Sequence, residues 1–108
     1  MDYVLKISPF STNQIPSTYA LHQNYPNPFN PKTEIRFDII DESDVKLAIY
    51  NLMGQKIKDL QSERMNPGFY SVTWDGTNTS GAPVASGMYF YKLSTANFQS
   101  TKKMLFLK

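Results

Sequence analysis

Residues 21–31, reading LHQNYPNPFNP, constrain the fold of this chain more than any other stretch. Pro26, Pro28 and Pro31 each fix φ and lack a backbone donor. Each also drives the residue before it (Tyr25, Asn27 and Asn30) toward extended conformations. A helix cannot run through such a segment, and neither can a central strand, whose ladder needs every N–H. What remains is a stiff extended arm. Its two aromatics, Tyr25 and Phe29, are expected to pin it to a neighbouring surface. An arm of this kind, placed directly before a periodic strand, suggests a small module attached to something larger.

The rest of the chain reads as strands. In residues 33–40, Ile35, Phe37 and Ile39 alternate with Glu34, Arg36 and Asp38, the pattern of a half-buried strand. Val45, Leu47 and Ile49 repeat it over residues 45–50. Asn51-Leu52-Met53-Gly54 then reads as a hairpin connection, with Gly54 free to take positive φ. Residues 55–60 return, and a polar stretch leads to the turn Asn66-Pro67-Gly68. Tyr70, Val72 and Trp74 share one face of residues 69–74, and Trp74 is the best candidate for the centre of the core. Val84 is expected to open a short strand. Residues 88–95 and 98–107 form a terminal hairpin around Ala96-Asn97. The expected core is Ile35, Phe37, Leu47, Ile49, Val72 and Trp74. No segment keeps a helical period. About seven short strands separated by regular turn signals define an all-β fold, an Ig-like antiparallel β-sandwich.

Residues 1–18 differ in character. Residues 2–7 alternate weakly and could pair at a sheet edge, while residues 8–18 (SPFSTNQIPST) have a linker's composition. The expected division is a linker or remnant of an upstream domain over 1–18 and one domain over 19–108. Residues 1–7 lack the basic region, apolar run and cleavage site of an export signal, so any such signal would belong to a longer parent chain. No apolar run approaches the roughly twenty residues of a membrane-spanning helix. A net charge of +2 is too small to argue for nucleic acid or an anionic membrane. The chain has no cysteine, which excludes disulfides and thiolate metal sites.

Chemistry-bearing constellations are sparse. His22, the sole histidine, lies on the arm with no nucleophile or orienting carboxylate placed beside it by spacing. Asp38, Asp41, Glu42 and Asp44 cluster on a turn and an outward strand face, as solvated carboxylates do. The loop Asp75-Gly76-Thr77-Asn78-Thr79-Ser80-Gly81 is rich in oxygen but offers one carboxylate, where calcium usually gathers several; an Asx turn is the simpler reading. Asn78-Thr79-Ser80 matches an N-glycosylation pattern. Tyr89, Phe90 and Tyr91 could present an aromatic platform, although alternation sends one of their two faces into the core. No cofactor, metal site or catalytic residue is expected.

Taken in order, the segments NYPNPFNP, IYNLMGQKI, NPGFYSVTWDG, PVASGMYFYKL and the terminal TKKMLFLK resemble the type A C-terminal sorting domain of the type IX (Por) secretion system of Bacteroidetes and related bacteria. The resemblance covers about residues 21–108. It implies a non-catalytic Ig-like module at the end of a larger secreted protein, carried via the periplasm to the cell surface or the medium. Its partners would be the translocon, a sortase-like attachment machinery and an upstream cargo domain. Carried onto this chain, translocon recognition would fall on the final hairpin, at Gly87, Tyr89, Tyr91 and Leu93 on one arm and Lys103, Leu105, Leu107 and Lys108 on the other. Processing would fall in or before residues 8–18. An exposed hairpin edge would suit strand addition by a receptor, or an edge-strand dimer. Two other readings remain. The pattern TWDG…VASGMY also resembles the Ig-like domain of flagellar hook-capping proteins, an assembly scaffold. An accessory carbohydrate-binding module would need Tyr89 and Tyr91, or Tyr50 and Tyr70, aligned in solvent.

Overall fold

The computed structural model describes residues 15–108 and, for the backbone alone, Lys6–Ile7. Residues 1–5 and 8–14, which hold most of the expected linker, lie outside the described residues. The strands are β1 (Lys6–Ile7), β2 (Ala20–Leu21), β3 (Thr33–Ile39), β4 (Ser43–Tyr50), β5 (Lys56–Met65), β6 (Gly68–Trp74), β7 (Gly87–Ser94) and β8 (Gln99–Phe106). They form two antiparallel sheets in the orders β1-β6-β3-β2 and β5-β4-β7-β8. This is the all-β Ig-like sandwich that the alternation implies. Lys6 and Ile7 pair with Ser71 and Tyr70 of β6, so a piece of the segment before residue 19 occupies a sheet edge.

Period-two alternation builds the core directly. The inward residues of β3 (Ile35, Phe37 and Ile39) meet those of β4 (Val45, Leu47 and Ile49), with Val72 and Trp74 from β6 beside them. The six residues expected to form the core are all fully buried. Trp74 is ringed by Tyr89, edge-on at 5.4 Å, and by Phe29 and Phe106 at 5.6 and 6.2 Å. Its indole N–H donates to the Thr77 carbonyl at 2.9 Å, so the polar end of this large side chain is satisfied.

Two strand boundaries depart from expectation. β5 continues to Met65 through Gln61-Ser62-Glu63-Arg64, a stretch whose polarity reads as loop. Its length is set by β4, which it pairs from Tyr50 back to Ser43, with register shifts opposite Leu47/Ala48 and Ile49/Tyr50. As an edge strand it tolerates charge on its open side, and Arg64 bonds both Glu42 and Asp44 across the turn. Val84, in turn, starts no strand. Its N–H donates to Gly76 O and its side chain packs on the core, while Pro83 makes only an isolated bridge to Thr77.

Candidate functional site

The proline-rich arm is a strap that crosses the open side of the sandwich and stitches one sheet to the other. Its first part lies along β3. Ala20 and Leu21 pair with Asp38 and Phe37, and the His22 N–H donates to Arg36 O. Tyr25 exchanges both backbone bonds with Glu34. Beyond Tyr25 the strap leaves β3 and joins β8. Phe29 N–H donates to Leu105 O at 3.0 Å, and Leu107 N–H donates to Phe29 O at 3.1 Å. The Asn27 side chain accepts from Leu105 N–H, and the Gln23 amide donates to Lys103 O. The prolines permit this path because the strap never needs a continuous ladder. The peptide bonds before Pro26, Pro28 and Pro31 are cis.

Only one of the two arm aromatics pins it. Phe29 is 2% exposed and stacks on Phe106 with ring centroids 4.9 Å apart. Tyr25 is 80% exposed. Its paired backbone with Glu34 turns its side chain away from the sandwich, opposite to the buried Asn24. Asn24 is the anchor that the sequence reading missed. Its side-chain amide donates to Pro26 O and to the Thr33 hydroxyl, and its backbone N–H donates to the Tyr91 hydroxyl at 2.8 Å. The Tyr91 hydroxyl in turn donates to His22 O at 2.8 Å. The hint was there: short polar side chains among prolines are free to bond nearby backbone.

Burial pushes the Tyr91 phenol up to about 12, against a smaller downward pull from the Asn24 N–H. A folded value above the ordinary 10 means that the stabilisation is complete below pH 10 and is lost as pH climbs through 12. Tyr91→Phe leaves the Asn24 N–H and His22 C=O without a partner, at a cost of about 1–3 kcal/mol at neutral pH. Urea unfolding between pH 8 and 12 should show a shallower alkaline fall in the variant, with the remaining slope owed to Tyr70 and Tyr89, which burial also pushes up.

The residues expected to carry recognition divide between two faces. Tyr89, Tyr91 and Leu93 point into the core, so a receptor cannot read their side chains. Strand register explains this, since they alternate with Met88, Phe90 and Lys92, which face outward. Lys103, Leu105 and Leu107 lie outward on the partner arm. Gly87 pairs with Phe106 at positive φ, and Lys108 is exposed with its N–H on the Ser86 hydroxyl. The expected open edge is also half closed, because Asn27 and Phe29 occupy β8 around Leu105.

The other candidates are structural. His22 Nε2 lies 3.1 Å from Asp38 Oδ2, and among the described residues no hydroxyl joins the pair. Asp41 accepts from the Tyr19 hydroxyl. Asp75 Oδ1 accepts from the Thr77 N–H and hydroxyl, and Asn78 Oδ1 accepts from Ser80 and Ala82, so the oxygen-rich loop folds on itself as Asx turns. Among the described residues no group of His, Asp or Glu side chains is arranged to hold a metal ion. Nor is any helix of theirs long and apolar enough to cross a membrane.

A strapped sandwich of two antiparallel sheets defines an Ig-like domain. Residues 28–98 match the family model of the FlgD Ig-like domain, and the chain belongs to that family. The match begins inside the strap and ends one residue before β8. Among solved structures, dimeric latent PorU from Porphyromonas gingivalis superposes with a TM-score of 0.66 at 18% identity, over 87% of this chain and 10% of that one. PorZ, described as an essential surface component of the type-IX secretion system of the same bacterium, superposes with a TM-score of 0.55 at 16% identity, over 83% of this chain and 11% of PorZ. At these identities the likeness is one of fold, and the chain spans about a tenth of either protein. No curated protein matches the sequence.

Proposed function

We propose that this chain is a non-catalytic sorting module that directs a larger exported protein through a type IX secretion system to the cell surface or medium. The observation that carries the reading is the strapped terminal hairpin. The NYPNPFNP segment and the terminal TKKMLFLK, the two ends of the sorting-domain resemblance, are brought together on β8, although about 75 residues separate them. The fold likeness to PorU and PorZ supports it. Its partners would be the translocon and attachment machinery, with an upstream cargo domain on the same chain and no role for nucleic acid or membrane insertion.

One alternative, in keeping with the FlgD family match, is an assembly scaffold within a secreted multidomain enzyme. The carbohydrate-binding alternative loses its platform, since Tyr89 and Tyr91 are in the core and Tyr50 and Tyr70 lie in different sheets.

The test is a fusion of the full chain behind an export signal and a fluorescent protein. Surface display or release only in a strain with the type IX system is the expected result. Equal periplasmic retention with and without that system would overturn the reading.

A further inference from the structure

Two features of the terminal hairpin converge on one surface. The first is an unfinished edge. In the antiparallel ladder, hydrogen-bonded and non-bonded pairs alternate. Since Leu105 turns its backbone groups out to the strap, Lys103, Thr101 and Gln99 turn theirs out as well. The strap takes the Lys103 carbonyl through Gln23; before it, β2 packs beside β8 and Tyr19 stacks on Phe98, without a hydrogen bond to the β8 backbone among the described residues. The Lys103 N–H and both backbone groups of Thr101 and Gln99 meet no partner among the described residues.

The second feature is the charge on the adjoining face. Across the outer surface of the sheet, Tyr50, Phe90 and Lys103 are in register, as are Ala48, Lys92 and Thr101. Lys46 lies diagonally beyond. β7 and β8 contain no carboxylate, and Lys46, Lys92 and Lys103 enter no ion pair among the described residues. Half-buried Met88, Phe90 and Leu105 floor a shallow groove walled by Gln23, Asn27 and Pro28.

We infer that the open half of β8, from Gln99 to Lys103, receives an extended acidic segment of a partner protein as an added strand, its carboxylates lying against Lys92 and Lys103. This deepens the sorting reading and rests on it for its cellular setting. Strand addition satisfies the open backbone groups, and a neighbouring strand about 4.8 Å away brings alternate side chains beside Lys103 and Thr101. The strap limits the added strand to about five residues, some 17 Å. Charge complementarity selects an acidic occupant. A second copy is disfavoured because it would join two lysine-bearing edges that lack carboxylates. A bilayer fits less well, because the apolar residues of this face are recessed between lysines.

The test uses the full chain and a fluorescent peptide alternating glutamate with valine, set against the same peptide with lysine for glutamate and against phosphatidylglycerol vesicles. The glutamate peptide should bind in a salt-sensitive way and the lysine peptide should not. Affinity should fall at least tenfold in K92E/K103E. It should fall as far in Thr101→Pro, which removes an outward N–H without touching the bonds to β7. Thermal melts verify folding, and if Thr101→Pro unfolds, the charge-reversed variant carries the test. Equal binding by the variants, no binding at all, or binding to vesicles in place of the peptide would each overturn the inference. Export separates the two readings. If wild type and variants are exported alike, the inference falls and the sorting function stands. If wild type is not exported although the variants lose the peptide, the sorting function falls and the surface stands.

Discussion

Phe29→Ala is expected to remove about 3–5 kcal/mol of folding stability. The ring is sandwiched by Phe106 and Trp74 beneath the strap and is almost wholly buried. Removing it deletes one wall of the Trp74 cluster and the only apolar anchor in residues 22–31. A domain of this size has a total stability of order 5–15 kcal/mol, so the variant should melt many degrees lower. The damage should also have a location. Leu107 donates to the Phe29 carbonyl and Leu105 to the Asn27 side chain, so those two amides should lose protection from hydrogen exchange. Amides in the β4–β7 ladder should weaken only with global stability. A loss below about 1 kcal/mol would show that the strap is not clamped through Phe29.

Gly76→Ala should be nearly as costly, from the opposite side of the same cluster. Gly76 has φ of +78°, and a Cβ there would lie 2.8 Å from Phe106 Cζ. Left-handed strain contributes about 1–2 kcal/mol, and forcing the Phe106 ring aside about 1–3 more. Gly81 provides the control. Its φ is +84° but a Cβ would meet nothing within 4 Å, so Gly81→Ala should cost only the backbone strain. Urea unfolding of the two variants separates conformation from clash. Because Gly76 presses on the ring that supports Phe29, the Gly76→Ala and Phe29→Ala effects should not add.

Local pattern exposed the strands whose two faces differ. Ile35-Arg36-Phe37 and Val45-Lys46-Leu47 declare a buried side because the sheet has water on its other side. The end of β5 could not be read this way, since an edge strand with charge on its open side resembles a loop. The strap was legible only as a list of exclusions. Prolines announce what residues 21–31 cannot be, but the choice of β8 as a second mooring depends on residues far along the chain. The same limit hid Asn24, whose partner Tyr91 lies 67 residues along the chain. It also placed Tyr89, Tyr91 and Leu93 among surface contacts: which side of a terminal hairpin faces in depends on the sheet opposite.

The strap also imposes an order of events. Asn24 reaches Tyr91, Asn27 reaches Leu105 and Gln23 reaches Lys103, across 67, 78 and 80 residues of chain. None of these closures can form before β7 and β8 are present, and long-range closures of this kind are slow to form. The segment that emerges early must wait, unmoored from β8, until Leu107 has arrived. A chain that lacks β8 can assemble its first sheet pairs but cannot fasten them together through the strap, so a moored strap reports that β8 is in place.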